Sequence, residues 1–379
     1  MTAVLEMKDN ANHTTLYMAL ELSNKKWKLG FSNGEKNRQV TIAAGDWVDL
    51  HTQMDLAKQK LRLAADCRIV SCYEAGRDGF WIHRGLEAEG IENHVVDSAS
   101  LEVNRRSRRA KTDRIDVQGL LRLLQRYWQG DRKAMSVVRV PTLEQEDERR
   151  LHRERGRLLK ERGAHSARIK SLLVAQGIRL EIRSDFLQRL ETARGGSTGY
   201  ALGVDLKEEL RREYERYRLV DQQVRTLEAE QKLRVREACE SGSLKQIYQL
   251  LQLKGVGWQS SWVLVMEFFG WRDFRNQGQV GACAGLTPTP YASGETEREQ
   301  GISKAGNRRV RSLMIELSWL WLRYQPNSSL TRWFERRFAG GGKRMRRIGI
   351  VAMARRLLIA LWRYLNDGVV PEGAILKVA

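Results

Sequence analysis

The order of predicted strands and helices in the first third of the chain constrains its fold more than any other sequence feature. Short apolar or alternating runs between turn signals predict strands, and runs with helical spacing predict helices. In chain order the predicted elements are strands at 16–22, 26–31 and 38–43, a helix at 47–65, a strand at 68–74, a helix at 79–90, a strand at 91–97 and a helix from Thr112. Threonine is a favoured N-cap residue, which marks the start of the last helix.

Three strands, helix, strand, helix, strand, helix is the order expected of an RNase H-like fold. We therefore predict an α/β domain at residues 12–135. After Pro141 the composition shifts to charged helix with few β-formers. A third region, 244–379, is predicted to be mainly helical, and its tail from Arg332 reads as basic helix, glycine hinge and basic helix.

The region 141–243 carries a heptad pattern. Its apolar positions are Leu206, Val220 and Leu227 at a and Leu210, Tyr217 and Val224 at d, with Glu213 and Gln231 as polar interruptions. About four heptads are long enough for a coiled coil. The pattern fits either a dimerisation element or an intramolecular hairpin, and we predict a helical linker and assembly region here.

The charge of the chain indicates its class of partner. Its 379 residues carry a net charge of +20, and a surplus of this size most plausibly meets a polyanion such as nucleic acid. The N-terminal residues lack a signal-peptide pattern, and no apolar run reaches the roughly 18 residues of a membrane helix. We expect a soluble, cytoplasmic protein with no membrane partner.

Four carboxylates are placed where such a fold could bring them together. Glu21 lies on the first strand, Glu74 ends the fourth, and Asp113 and Asp116 are one helical turn apart. Converging carboxylates are costly unless a hard cation such as Mg²⁺ or Mn²⁺ neutralises them. The sequence thus predicts a metal site that orients a phosphodiester, whereas the alternative is that these are ordinary surface charges.

Three basic or glycine-rich segments are candidate contacts to nucleic acid. Their residues are Arg105, Arg106, Arg108, Arg109 and Lys111; Lys254, Gly255 and Gly257; and Lys304, Arg308 and Arg309. "LLQLKGVGWQSSWVLV" has the pattern of a helix-hairpin-helix, whose glycines let backbone N–H groups approach a phosphate. The alternatives are a solvated loop for the first segment, a tight helix–helix turn for the second and an exposed helix start for the third.

One serine, Ser293, stands in "TPTPYASGETE" among prolines and a glycine, in what we predict to be a loop. It is either ordinary turn chemistry or a nucleophile held out on a stiff loop. No histidine lies near it in sequence, so a Ser-His-Asp hydrolase pattern is absent.

The quoted motifs as a set resemble the DEDD-type insertion-sequence transposases, over nearly the whole chain. The resemblance rests on "YMALELSNKKW", "YEAG", "RRAKTDRIDVQGLLRLL", "LLQLKGVGWQSSWVL" and, most specifically, "VGACAGLTPTPYASGETEREQGISKAGNRRVRSLM". It implies a RuvC-like N-terminal domain, a coiled coil and a C-terminal transposase domain. It also implies a bridge-RNA-guided serine recombinase that acts on donor and target DNA and assembles as dimers into a tetramer.

The resemblance assigns the metal-site acids to Glu21, Glu74, Asp113 and Asp116 and the nucleophile to Ser293. The first acid is typically aspartate, so Glu21 departs from the pattern by one methylene. The implied chemistry is attack of Ser293 on a DNA phosphodiester to give a phosphoserine. Two other hypotheses compete with it: a metal-only RuvC-like nuclease in which Ser293 is structural, and a non-catalytic nucleic-acid-binding scaffold.

Overall fold

The computed structural model describes residues 15–98, 113–237, 240, 242–293 and 296–377. The chain divides into two compact units, Met1–Val140 and Pro141–Ala379. The two regions that we predicted separately at 141–243 and 244–379 therefore lie in one unit. No helix in the described part of the chain is long and apolar enough to cross a membrane.

The first unit contains a mixed five-stranded sheet. Its strands are β1 (Thr15–Leu22), β2 (Lys26–Ser32), β3 (Asn37–Ala43), β4 (Arg68–Glu74) and β5 (Glu92–Val96), in the spatial order β3-β2-β1-β4-β5. β2 runs antiparallel to β1 and β3, while β1, β4 and β5 are parallel. The predicted mixed α/β composition and all five strands are confirmed, and the RNase H-like assignment stays a prediction.

Helices cover both faces of this sheet because alternate residues along its strands are apolar on both faces. The helices are α1 (Trp47–Lys60), α2 (Trp81–Ala88) and α3 (Asp113–Trp128). Leu16, Met18 and Leu20 share a core with residues of α1 and α2, whereas Tyr17 and Ala19 pack with α3. Strand side chains point alternately to opposite faces, so the pattern in β1 fixes which helices lie on which face.

The second unit begins with a long helical hairpin. Its elements are α4 (Leu143–Asp147), α5 (Arg150–Ala175), α6 (Phe186–Thr192), the short strands β6 (Arg194–Gly195) and β7 (Tyr200–Ala201), and α7 (Val204–Glu237). Helices α5 and α7 pack along each other. Leu210, Val220 and Val224 of the predicted seam are buried.

Ion pairs show that α5 and α7 are antiparallel. His165 pairs with Glu213 at 2.7 Å and Arg168 with Glu209 at 2.7 Å, while Arg155, near the other end of α5, pairs with Glu228 at 2.6 Å. Residue numbers that rise along α5 meet numbers that fall along α7. Of the two alternatives for the heptad seam, the structure therefore contains the intramolecular hairpin.

The remaining elements form a helical bundle with one β-hairpin. They are α8 (Gly242–Leu251), α9 (Trp258–Leu264), a π-helical turn (Val265–Phe269), α10 (Gln277–Cys283), β8 (Pro288–Ser293), β9 (Thr296–Ile302), α11 (Arg308–Tyr324), α12 (Ser329–Phe334), a second π-helical turn (Glu335–Ala339) and α13 (Lys343–Asp367). The core lies between α11 and α13, with Met314, Leu317 and Trp321 of α11 completely buried.

Candidate active site and nucleic-acid interface

Glu21 and Glu74 lie at the same end of two neighbouring parallel strands. The register pairs Leu20 with Tyr73, so Glu21 and Glu74 are the next residues along β1 and β4. Ala19 and Cys72, two residues earlier, belong to the cluster that packs under α3. By strand alternation both glutamates point to the face that α3 covers, and both are half-buried.

The direction of α3 carries its first turn toward the same end of the sheet. Near the C-terminus of α3, Gln125 donates to Ser32 Oγ at 2.7 Å, and Ser32 pairs with Tyr17 near the start of β1. One turn after the start, Val117 lies over Gly30, where an added Cβ would be 2.3 Å from Val117 Cγ1. The helix therefore runs antiparallel to β1, so Asp113 and Asp116 lie toward the end that carries Glu21 and Glu74.

The chemical type of the four predicted ligands suits a hard divalent cation, whereas Glu21, Glu74 and Asp116 do not by themselves form a group that could hold one. Carboxylate oxygens are the ligands that Mg²⁺ and Mn²⁺ prefer, and all four predicted ligands are carboxylates. Asp116 is half-buried, whereas the side chain of Asp113 lies outside the described residues. Among the side chains that are described, no group of three or more histidine, cysteine, aspartate or glutamate residues could hold a metal ion.

Ser293 is on a β-hairpin, and the prediction of a loop is wrong at this point. It is the last residue of β8 and pairs with Thr296 of β9. Prolines and a glycine made the segment read as a loop. In a two-stranded hairpin each strand has one partner only, so a proline can sit where its missing N–H is not needed. The side chains of residues 290–300, including that of Ser293, are not among those that the structure describes.

Two glycines lock the base of this hairpin. Gly285 has φ +67°, and an added Cβ would be 2.2 Å from the carbonyl oxygen of Ala305. Gly306 has φ +105°, and its added Cβ would be 2.3 Å from the carbonyl oxygen of Cys283. Between them Lys304 has φ +57°, a conformation that costs a non-glycine residue about 1–2 kcal/mol. The backbone is thus tightly constrained where the hairpin joins the helical bundle.

The segment after the hairpin presents its cations at a capped helix start. Asn307 Oδ1 accepts hydrogen bonds from the N–H groups of Arg309 and Val310 at 3.0 and 3.1 Å. Lys304 and Arg308 are exposed, while Arg309 Nε lies 3.9 Å from Glu267 Oε1. Lys304 and Arg308 are therefore available to a phosphate, and Arg309 is partly neutralised within the protein.

A buried carboxylate, Glu267, joins three parts of the second unit. It lies in the first π-helical turn with 3% exposure. Arg153 of α5 donates to both of its oxygens at 2.7 and 2.9 Å, and His152 Nε2 donates at 2.8 Å. This cluster was not predicted from the sequence, although Glu267 interrupts the apolar run 262–269 and was a usable signal.

The charge state of this cluster follows from its hydrogen bonds. Burial raises the pKa of Glu267, but the donors Arg153 and His152 outweigh burial and hold that pKa far below its ordinary value. Burial lowers the pKa of His152. A neutral His152 with its proton on Nε2 can still donate to Glu267, and this leaves Nδ1 as a buried acceptor without a partner among the described atoms.

The turn between α8 and α9 is occupied by contacts within the chain. The Lys254 N–H donates to Ile375 O at 3.0 Å. An added Cβ on Gly255, which has φ +88°, would be 3.0 Å from Tyr324 Cβ. Gly257 is exposed and is the N-cap of the short helix α9. These contacts support the tight-turn alternative at Lys254 and Gly255, so phosphate binding by the three residues stays a prediction.

The basic cluster at Arg105, Arg106, Arg108, Arg109 and Lys111 lies outside the described residues. A second basic surface, not among the predicted site residues, lies on the outer side of α13. There the side chains of Arg344, Arg347, Arg355, Arg356 and Arg363 line an open groove that reaches the base of the β8–β9 hairpin.

Comparison with known proteins places these features in context. A family model described as the transposase IS116/IS110/IS902 family matches residues 248–332, which include Glu267, the β8–β9 hairpin and α11. The chain is 42% identical over 379 residues to a protein named putative transposase y4rJ of Sinorhizobium fredii, covering 96% of this chain and 94% of that protein.

More distant relatives include the transposase for insertion sequence element IS1328 of Yersinia enterocolitica. It is 23% identical over 263 residues, which is 69% of this chain and 73% of the relative. The transposase for insertion sequence element IS1111A of Coxiella burnetii is 27% identical over 222 residues, covering 58% of this chain and 57% of the relative.

Proposed function

The chain belongs to the IS116/IS110/IS902 family of transposases, and from this premise we propose how it cuts and rejoins DNA. Ser293 is the proposed nucleophile. The observation that carries the proposal is its place as the last residue of β8, at the far end of a hairpin whose base is locked by Gly285 and Gly306. Two exposed cations, Lys304 and Arg308, follow the hairpin and can neutralise a bound phosphate.

The proposed reaction exchanges one phosphate ester bond for another, so the bond energy of the phosphodiester is kept in the phosphoserine. Ser293 Oγ attacks the phosphorus and forms a Ser–O–P bond while one P–O bond to deoxyribose breaks. The serine proton leaves through solvent or a base, and the departing deoxyribose oxygen takes up a proton to become a hydroxyl. In the rejoining step a hydroxyl of another strand attacks the phosphoserine, and Ser293 regains its proton. No water is consumed and no cofactor is oxidised or reduced.

The carboxylates Glu21, Glu74, Asp113 and Asp116 are proposed to hold Mg²⁺ or Mn²⁺ in an RNase H-like, RuvC-like domain. The support is the sheet order, the shared end of β1 and β4, and the direction of α3. A bound divalent cation would neutralise phosphate charge and orient the phosphodiester. Glu21 and Glu74 contribute by facing α3 from neighbouring strands, with Asp116 on the first turns of that helix.

A guide RNA is proposed as the partner that specifies donor and target DNA. The support is the net charge of +20 together with the family resemblance, and a complex with RNA would balance that charge. If a discrete RNA copurifies with the protein and RNase treatment abolishes DNA binding, the proposal is supported. Full recombination after complete RNA digestion would contradict it.

Assembly as dimers that associate into a tetramer is also proposed. Since the heptad seam of α7 is covered by α5 within one chain, the assembly contacts would use other surfaces. Light scattering of the DNA-bound protein measures the subunit number, and a monomer on recombining DNA would contradict the proposal.

The nucleophile is tested by replacing Ser293 with alanine. Labelled DNA should form a covalent adduct with the native protein, visible after denaturing electrophoresis, and the adduct should be lost in Ser293→Ala. Ser303→Ala is the matched control, since Ser303 is an exposed serine beyond the hairpin base. An undiminished adduct in Ser293→Ala would show that another residue attacks the DNA.

The metal-only nuclease is the second candidate function, and the placement of Glu21, Glu74 and α3 favours it. It predicts that Asp116→Asn loses DNA cleavage while Ser293→Ala retains it. Under the proposed serine mechanism Ser293→Ala loses strand exchange as well as the adduct. If neither variant altered any DNA product, the non-catalytic scaffold would be the remaining interpretation.

A further inference from the structure

An open groove runs along α13 in the second unit, with a volume of about 1670 Å³. Its lining includes residues along one side of α13 from Arg344 to Arg363, together with Pro288, Gly301 and Ile302 at the base of the β8–β9 hairpin. The residues from 344 to 363 span roughly 29 Å at about 1.5 Å per helical residue. The groove is therefore long enough to bind a linear polymer along its length.

The charge of the groove is strongly positive. Its described lining contains six arginines and two lysines against one carboxylate, Glu372. Among the described residues, none of these eight cations forms an ion pair. Arg355 Nε is buried without a hydrogen-bond partner in the described part of the chain. It packs closely on Gly281, where an added Cβ would lie 3.0 Å from this nitrogen. An anionic ligand would offset this uncompensated charge.

The surface between these cations is apolar rather than polar. Met345 is 46% exposed and Ile348 is 49% exposed, and the partly buried Val351 and Ile359 continue the same side of α13. Trp333 lies nearby, with the guanidinium of Arg356 4.2 Å from the centre of its ring. Cations interleaved with apolar and aromatic side chains form the kind of surface that binds both phosphates and bases.

A surface that combines cations with apolar side chains suits single-stranded DNA better than duplex DNA. A duplex turns its phosphates and sugars outward and stacks its bases inside, so it could use the cations but not the apolar side chains. An unpaired strand presents both groups, and stacking or apolar contact with a base contributes about 1–3 kcal/mol. A protein that only gripped a duplex backbone would gain nothing from exposed Met345 and Ile348.

We infer that the groove along α13 binds a single strand of DNA and leads it toward the β8–β9 hairpin. This inference deepens the proposed function and rests on its DNA-cutting part, but it does not require Ser293 to be the nucleophile. Cutting and rejoining of strands exposes unpaired DNA. Pro288 lines the groove, and β8 extends from Pro288 to Ser293 over roughly 17 Å at about 3.3 Å per residue. The proposed reaction site therefore lies within roughly 17 Å of the groove.

The inference is tested by fluorescence anisotropy with the full-length protein and a labelled oligothymidine of about ten nucleotides, within the range of known site sizes. The test variant is Arg347→Gln combined with Arg355→Gln. Its matched control is Arg346→Gln combined with Arg336→Gln, since both residues are exposed but do not line the groove. All variants carry Ser293→Ala, so binding is measured apart from covalent chemistry.

We expect the test variant to bind the oligothymidine about tenfold more weakly, with a slope of log affinity against log salt smaller by about 1.4, since each lost single-strand phosphate contact contributes about 0.7. The control should bind within about twofold of the parent. Ile348→Gln should weaken binding of the single strand and leave binding of a duplex of the same length unchanged. Circular dichroism melting confirms that each variant is folded.

Equal binding by the test and control variants would overturn the inference. So would equal losses for single-stranded and duplex DNA, which would make the groove a duplex-backbone site. Tighter binding of an oligouridine, lost in the same variant, would assign the groove to RNA. A change in subunit number in the test variant, with unchanged DNA affinity, would assign it to contacts between copies of the chain.

Discussion

At the scale of single residues, Glu267 shows how one buried charge can join three elements of the second unit. Its two oxygens are held by Arg153 and His152 of α5, and Arg309 of α11 lies within ion-pair distance. A carboxylate that is only 3% exposed would be very costly without such donors. Glu267 thereby ties the long hairpin helix α5 to the capped start of α11.

The protonation of His152 gives this cluster a pH dependence. Burial lowers the folded-state pKa of His152 below its ordinary value of 6.5, so the unfolded chain binds this proton more readily. Its contribution to stability is therefore complete above pH 6.5 and is lost as the pH falls below that value. Glu267 acts in the same direction at lower pH, because its pKa is held below the ordinary 4.5.

We expect the free energy of unfolding of the native protein, measured by urea denaturation, to fall between about pH 6.5 and pH 5 by at most about 1.4 kcal/mol per pH unit for one histidine. The variant His152→Gln keeps a donor for Glu267 but does not titrate, so its free energy of unfolding should fall less over this interval. Ser303→Ala, at an exposed residue that carries no titratable group, serves as the control and should retain the native pH dependence. Identical pH profiles for His152→Gln and the native protein would contradict this assignment.

At the scale of elements, the β8–β9 hairpin depends on the turns at its base. Gly285 and Gly306 combine positive φ with carbonyl oxygens at 2.2 and 2.3 Å from an added Cβ. Gly301 also has positive φ, at +89°, but its added Cβ would meet nothing within 4 Å. Substitution of these three glycines can therefore distinguish the free-energy cost of a strained backbone conformation from the cost of a steric clash.

Gly285→Ala and Gly306→Ala should therefore destabilise the protein by about 3 kcal/mol or more, whereas Gly301→Ala should cost about 1–2 kcal/mol from backbone conformation alone. Urea denaturation of purified variants measures the difference. Equal losses at Gly285 and Gly301 would mean that the chain relaxes around the clash. Adduct formation should fall in the same order as stability, because the hairpin carries Ser293.

The heptad seam of α7 illustrates what an element's sequence leaves open. Leu210, Val220 and Val224 would be buried equally well against a second copy or against another helix of the same chain. The choice is made by α5, whose His165, Arg162 and Arg168 meet acidic partners on α7. Those pairings depend on how two helices separated by a connecting segment align, and no local pattern encodes that alignment.

At the scale of the whole molecule, sequence patterns predicted the first unit better than the second. Alternation in β1 and the turn signals after it are local, so its five strands could be located from the sequence. The Glu267 cluster joins residues 114 or 115 positions apart, and the α13 groove unites a helix face with a distant hairpin base. Such long-range sites require the fold, although the arginine spacing along α13 was visible in advance.

The two units should respond separately to core substitutions, since each has its own buried core. Leu20→Ala, at a completely buried residue of β1, should destabilise the first unit by about 3 kcal/mol. Leu317→Ala, at a completely buried residue of α11, should do the same for the second unit. Differential scanning calorimetry should show that each substitution lowers a different part of the unfolding profile, and a single profile shifted equally by both would contradict this.

The locked turns of Gly285 and Gly306 have a mechanical consequence for the hairpin they support. A hairpin roughly 17 Å long, at about 3.3 Å per residue, acts as a lever arm, and a tilt of about ten degrees at its base would move its tip by roughly 3 Å. A misplacement of only about 1 Å can slow a reaction about a hundredfold. Under the proposed mechanism, the accuracy with which Ser293 meets a phosphate is therefore set at the far end of the arm, by two glycines that have no side chain to offer the DNA.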